Sequence, residues 1–106
     1  MDYYLIMTKP LLIDTHAHIN FNAYKDDGDE VIKRSLAGDT WMILVGSQWE
    51  TSQRAVEYAQ KYSKGIYAAI GLHPIHLEER EVDEEELGNL KFKTKKEEFN
   101  YQRYFK

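Results

Sequence analysis

The chain alternates between short apolar runs and longer amphipathic stretches. Three apolar runs, at 11–15, 41–46 and 66–71, have the length and composition of buried β-strands. Between them, 29–38 and 50–65 repeat apolar side chains at helical spacing. The pattern predicts strand, helix, strand, helix, strand, with connections long enough to cross over a parallel sheet.

The ends of the two predicted helices carry suitable residues. Asp29 and Glu30 lie in the first turn of the first helix and Gly38 fits its end, whereas Thr51 or Ser52 is expected to cap the second. The strands are apolar enough for burial on both faces, which two helices cannot provide. The sequence therefore predicts an α/β fold whose parallel β/α units form the opening part of a larger sheet or barrel.

The carboxyl-terminal part of the chain has a different pattern. Residues 78–86 are strongly acidic, which we interpret as a solvated face, and a helix is expected over 83–92. A second, amphipathic helix is expected within 93–106, where Tyr101, Tyr104 and Phe105 have i, i+3, i+4 spacing. Its apolar face would need a sheet to cover it.

Histidines are placed in pairs directly after two of the predicted strands. His16 and His18 follow the first apolar run, and His73 and His76 follow the third. The carboxyl ends of parallel strands lie at one edge of a sheet, where α/β folds bind their ligands. This placement predicts a metal or phosphate site at that edge.

Strand alternation suggests how the first pair would work. If the strand continues through His18, then Asp14, His16 and His18 share one face. Two imidazoles at this spacing can converge on one cation. Asp14 is expected to accept a hydrogen bond from an imidazole N–H and orient that ring. A surface pair, or two polar residues that end a strand, would give the same spacing.

Other residues near the strand ends have simpler interpretations. His73, held extended by Pro74, is expected to reach into the same cleft, whereas His76 is expected to be a loop histidine exposed to water. Gly46 and Gly71 each follow a strand and are interpreted as loop residues without a ligand-binding role.

The composition and net charge of the chain limit its possible functions further. The chain has 106 residues, a net charge of −4 with neutral histidine, and no cysteine, so any metal must have nitrogen and oxygen ligands. The acidic balance argues against a general nucleic-acid-coating protein. No apolar segment is long enough to span a membrane, and no secretory signal is evident. We expect a cytoplasmic protein with one domain at 1–106, in which residues 1–9 are an extension.

Two stretches, "LIDTHAHI" and "ILVGSQWETSQRAVEYAQKYSKGIYAAIGLHPIHL", together resemble the TatD family of metal-dependent deoxyribonucleases and related hydrolases. The resemblance implies a TIM barrel, two divalent metal ions (Mg, Mn or Zn), and hydrolysis of phosphodiester bonds in DNA or another phosphoester. It also implies that His16 and His18 are ligands of one ion and that His73 lies at the substrate-facing rim.

The sequence also departs from that family. A complete barrel needs about 250 residues, and this chain matches the first three strand units of a partial TIM barrel. The family's later glutamate, histidine and aspartate ligands have no counterpart here, so no catalytic acid or base is assigned. The chain alone is expected to have little or no nuclease activity. A partner chain or a missing carboxy-terminal part would complete the sheet.

Three alternatives remain open at this point. The chain could belong to another amidohydrolase-type enzyme, such as a deaminase or lactonase. It could belong to a histidinol-phosphatase-like phosphoesterase, which also opens with His-x-His. It could instead be a non-catalytic remnant that interacts with another chain through the open edge of its third strand.

Overall fold

The structure, a computed structural model, describes residues 9–77, 80–84, 90–94 and 96–105. Three parallel strands form the main sheet in the order β1-β2-β3, and a helix joins each strand to the next. The elements are β1 (Leu12–Ala17), α1 (Gly28–Ala37), β2 (Thr40–Val45), α2 (Trp49–Lys61) and β3 (Ile66–Ala69). Each crossover moves one strand in the same direction, which is the winding of a β/α barrel.

The three predicted strands and the two helices between them are confirmed, with differences at their ends. β1 runs over Leu12–Ala17, so it includes His16. The predicted cap of α2 is wrong, because the helix begins at Trp49 and Gln48 precedes it. Thr51 lies in the first turn, where its Oγ1 accepts a hydrogen bond from the backbone N–H of Gln48 at 3.1 Å.

The core lies between the two helices and one face of the sheet. The three strands of the main sheet and the two helices between them each contribute to a single buried cluster, which includes Ile32, Met42, Leu44, Ala55 and Ile66. Met42 and Leu44 are two residues apart on β2, so they share the face that the helices cover. The apolar faces of the two helices and of the sheet therefore pack together in one layer.

The opposite face of the sheet is open. Ile13 pairs with Trp41 and Ile43 pairs with Tyr67, and these positions alternate with the helix-covered ones. Ile13 is 54% exposed and Tyr67 is 48% exposed. This is the uncovered face that the sequence predicts for three strands with only two helices, and its apolar residues are the reason for expecting a larger sheet or barrel. In a β/α barrel, this is the face that the remaining strands enclose.

The carboxyl-terminal part differs from its prediction. The helix expected over 83–92 is wrong, because Arg80–Glu84 (β4) and Leu90–Thr94 (β5) pair as antiparallel strands, with Val82 opposite Phe92. Residues 85–89 of that prediction lie outside the described residues. The sequence over 90–94 alternates apolar and lysine residues with a period of two, which suits a strand better than a helix.

The last helix is shorter than expected. α3 spans only Tyr101–Tyr104, a single turn. Tyr104 is buried, whereas Tyr101 and Phe105 are 63% and 69% exposed. The i, i+3, i+4 spacing therefore does not give one covered face. None of the helices in the described part of the chain has the length and apolarity needed to cross a membrane.

A polar contact joins the two long helices on the outer side of the fold. The Tyr62 hydroxyl donates to Asp29 Oδ1 at 2.6 Å, and Lys61 Nζ lies 2.9 Å from the same oxygen. Burial and the hydrogen bond to Asp29 raise the pKa of Tyr62 to about 12. The same hydrogen bond, with help from Lys61, lowers the pKa of the Asp29 carboxyl.

This contact predicts an alkaline loss of stability. The pKa of Tyr62 rises from 10 to about 12 on folding, so its contribution is fully present below pH 10 and is lost as pH rises through 12. Tyr62→Phe should therefore show a shallower fall in the free energy of unfolding across this range than the wild type. Urea unfolding at several alkaline pH values measures how the free energy of unfolding of each protein changes with pH. Equal pH dependence in the two proteins would contradict the role assigned to Tyr62.

Candidate metal site

The carboxyl edge of the sheet brings the loops after β2 and β3 together. The backbone N–H of Gly46 donates to the Ala69 carbonyl at 2.8 Å, and that of His73 donates to the Ser47 carbonyl at 2.7 Å. His18 approaches the same edge from β1, where it contacts Val45. The strand ends that the sequence placed at one edge therefore do lie together.

The rings of His16 and His18 are neighbours. Their centroids lie 4.8 Å apart and their planes meet at 84°. His16 is exposed and His18 is half-buried, with the ring of Phe21 packed against it at a centroid distance of 4.2 Å. The two imidazoles are thus close to each other, while their role as ligands of one ion stays a prediction.

A backbone carbonyl fixes the tautomer of His18. Nδ1 lies 3.1 Å from the carbonyl oxygen of Val45. Because a carbonyl oxygen only accepts, Nδ1 must carry the hydrogen and donate it. The neutral ring then has its lone pair on Nε2. Metal-binding histidines commonly have this arrangement, in which one ring N–H donates to a backbone carbonyl while the other nitrogen binds the metal.

Asp14 makes a different contact from the one expected. Its Oδ1 accepts a hydrogen bond from the backbone N–H of His16 at 3.0 Å, so it fixes the backbone of β1 there. The expected strand alternation also fails, because a β-bulge lies between Asp14 and Ala17. Asp14 pairs with Met42, and Ala17 pairs with Leu44. Three residue steps separate Asp14 from Ala17 on β1, whereas two steps separate Met42 from Leu44 on β2.

The second histidine pair is split by the structure. His73 is exposed, and its Nδ1 accepts a hydrogen bond from the backbone N–H of Ile75 at 3.0 Å. The prediction for His76 is wrong, because that residue is only 7% exposed and its Nε2 lies 3.1 Å from Ser47 Oγ. The turn at Pro74–Leu77 folds back onto the loop after β2, which buries the ring.

The described residues supply part of a metal site at most. Over 9–77, 80–84, 90–94 and 96–105, no group of three or more histidine, cysteine, aspartate or glutamate side chains gathers as a cation site. His73 is therefore not grouped with the first pair. Two imidazole nitrogens fit a divalent ion such as zinc as two of its ligands, and the remaining ligands would have to come from elsewhere.

Sequence reasoning missed Ser52, which joins the two loops. Its side chain is 2% exposed, and its Oγ donates to the Gly71 carbonyl and accepts from the Gly71 N–H, both at 3.2 Å. Gly46 packs directly against it: a Cβ on Gly46 would lie 2.5 Å from Ser52 Cα. A glycine after a strand, with a small residue one turn into the helix that follows, was the available signal for this close packing.

Sequence reasoning also missed Asn20, which lies just past His18 and is fully buried. Its Nδ2 donates to the Val45 carbonyl at 3.1 Å and to the Thr51 carbonyl at 2.8 Å. It therefore joins the end of β2 to the first turn of α2. Nothing in the sequence separates Asn20 from the other polar residues of that loop.

Glu97 ties residues 96–105 to this part of the fold. Its carboxylate accepts from the backbone N–H of Trp49 at 3.0 and 3.2 Å, and the Tyr104 hydroxyl donates to Oε2 at 2.5 Å. A carboxylate at a helix amino terminus is stabilised by the unpaired N–H groups there. The Arg103 guanidinium lies 4.2 Å from the centroid of the Trp49 ring, so a cation–π contact adds to this attachment.

Comparison with known proteins identifies the family. The model of the TatD-related DNases matches residues 13–100. An uncharacterized metal-dependent hydrolase of Bacillus subtilis, YabD, is 40% identical over 82 residues, which are 76% of this chain and 31% of that protein. An uncharacterized metal-dependent hydrolase of Methanocaldococcus jannaschii is 32% identical over 78 residues, 74% of this chain and 30% of that protein. No solved structure matches the chain significantly.

The chain therefore belongs to the family of TatD-related DNases. That family has the TIM-barrel fold, and the three-stranded parallel sheet with its helices is the corresponding part of such a barrel. The predicted fold class is confirmed. The chain spans about a third of the length of these two relatives, 31% and 30%.

The packing of Gly46 on Ser52 predicts a large difference between two glycines. Gly46→Ala should destabilise the fold by about 1–3 kcal/mol, because the new methyl group overlaps helix backbone that cannot move away freely. Gly71→Ala is the matched control, since no atom of the described part of the chain lies within 4 Å of its Cβ position. Urea denaturation compares the two, and equal stabilities would show that the loop after β2 has room to shift.

Proposed function

We propose that the chain forms the amino-terminal part of a TatD-type hydrolase that cleaves phosphodiester bonds, and that His16 and His18 hold one divalent ion. The observation that carries this proposal is the hydrogen bond from His18 Nδ1 to the Val45 carbonyl, with the His16 ring beside it. The names of the relatives, as metal-dependent hydrolases, also support metal use.

The described residues would bind the divalent ion and orient the imidazoles that hold it. The Val45 carbonyl sets the lone pair of His18 on Nε2, and the Asp14 carboxylate holds the backbone from which the His16 ring projects. When bound, a divalent ion would stabilise the negative charge that develops on a phosphoryl group. Imidazole ligands favour zinc or manganese over magnesium, which prefers oxygen.

The proposed site needs further ligands. Neutral imidazoles do not compensate the charge of a divalent ion, and carboxylates of later strands would do so. We propose that these come from further β/α units, on this protein or on a partner chain, that cover the open face at Ile13 and Tyr67. DNA or another phosphoester would be the substrate, and His73 would lie at the rim of the site that faces it. We propose the cytoplasm as the location of the protein.

The open face also supports a second candidate, an interaction module without activity of its own. Ile13 and Tyr67 lie on β1 and β3, the two edge strands of the sheet. An apolar sheet face with unpaired edges favours pairing with another β/α segment. This role would need no metal, so metal binding separates the two candidates.

Metal binding by the purified chain is the direct test of the ligands. We expect Zn²⁺ to bind, and His16→Ala and His18→Ala each to weaken binding by about tenfold or more, because each removes one of two nitrogen ligands. His73→Ala is the control and should leave the affinity unchanged. Isothermal titration calorimetry measures all four proteins, and unaltered affinity in both ligand variants would exclude the proposed pair.

Activity of the isolated chain gives a separate prediction. With Mn²⁺ or Zn²⁺ we expect no hydrolysis of a phosphodiester such as bis(p-nitrophenyl) phosphate above the buffer rate, because the carboxylate ligands and a catalytic base are not among the assigned residues. Release of p-nitrophenol measures the rate. Chelator-sensitive turnover that survives His16→Ala would contradict the assignment of His16.

A further inference from the structure

Asn20 and His18 share one hydrogen-bond acceptor. The carbonyl oxygen of Val45 lies 3.1 Å from His18 Nδ1 and 3.1 Å from Asn20 Nδ2. A carbonyl oxygen has two lone pairs, so both are used by these two donors. The second hydrogen of the Asn20 amide goes to the Thr51 carbonyl at 2.8 Å, so the buried amide spans the last residue of β2 and the first turn of α2.

We propose that Asn20 is a positioning residue for His18. By holding the Val45 carbonyl at a fixed distance from α2, it keeps that oxygen where the His18 ring can donate to it. The hydrogen on Nδ1 then keeps the lone pair on Nε2 and sets its direction. The consequence for metal binding rests on the proposed function above, whereas the effect on the His18 ring does not.

The anchoring of the Asn20 backbone supports this role. Arg54 Nη1 donates to the carbonyl oxygen of Asn20 at 3.1 Å, and Arg54 Nη2 lies 3.3 Å from Glu50 Oε1. The loop that carries Asn20 is thus held by α2 through its main chain as well as its side chain. His18 lies two residues away on the same loop, so it shares this support.

The orientation of the amide supports it further. Asn20 Oδ1 is buried and has no hydrogen-bond partner among the residues that the structure describes, which costs stability. Rotating the amide by half a turn would be worse, because Oδ1 would then face the carbonyl oxygens of Val45 and Thr51. An apolar residue of the same shape would avoid the unpaired oxygen. What such a residue could not provide is the pair of N–H donors, so donation is the property that accounts for asparagine here.

The test reads the His18 tautomer in the metal-free chain. Long-range ¹H–¹⁵N NMR at about pH 8, where imidazole is neutral, should show His18 protonated on Nδ1 in the wild type. In Asn20→Ala it should show a mixture of the two tautomers, and the Zn²⁺ dissociation constant should rise about tenfold. Asn22→Ala is the matched control, since that side chain is exposed and both readouts should stay unchanged.

Asn20→Leu keeps the shape of the side chain without its donors, so it tests the proposal if the alanine variant fails to fold. A wild-type His18 protonated on Nε2 would overturn the inference without any variant. So would variants that melt at lower temperature but keep the wild-type tautomer. If the tautomer changes as expected while the wild type binds no Zn²⁺, the positioning role holds and the metal proposal fails.

Discussion

The position of the Val45 carbonyl group links the geometry of the sheet to the geometry of the candidate site. It is the last residue of β2, so its position is set by the ladder to β1 on one side and β3 on the other. Its oxygen accepts hydrogen bonds from the side chains of His18 and Asn20, which lie in the loop after β1. Any displacement of β2 along the sheet would therefore move the imidazole. The apolar layer around Leu44, which is fully buried, prevents that displacement.

The loops at the carboxyl edge extend this constraint to β3. Ser52 binds both backbone groups of Gly71, and Ser47 accepts from the His73 backbone while its hydroxyl lies beside the buried His76 ring. These hydrogen bonds of Ser47 and Ser52 join the loop after β2 to the loop after β3. Rigid loops at a strand edge are what a site needs if two ligands are to keep their relative orientation.

The sequence predicted the elements whose signal is local. Apolar runs and helical spacing located the three strands and two helices, because burial in a parallel sheet imposes those patterns on each segment separately. The proximity of His16 and His18 could be predicted for the same reason. Their tautomers, ligand geometry and metal could not, since these depend on groups such as Val45 that lie far away in the sequence.

The failures share a physical cause. The register shift after Asp14, the burial of His76 and the bridging role of Asn20 all depend on contacts between segments far apart in the sequence, which leave no periodic pattern. The helix expected over 83–92 is another failure, because residues 80–84 and 90–94 pair as antiparallel strands, in which each strand satisfies backbone groups of the other.

The two incomplete features of the molecule can be understood together. The sheet has an apolar face at Ile13 and Tyr67 that the described residues leave open, and the two imidazoles of the candidate site belong to no group of three potential metal ligands among those residues. In a closed barrel the strands that enclose the inner face also carry side chains to the same rim. One set of additional strands would thus bury the apolar face and bring charge-compensating ligands to His16 and His18. Under the proposed function, closure of the barrel and completion of the metal site would therefore be a single structural event.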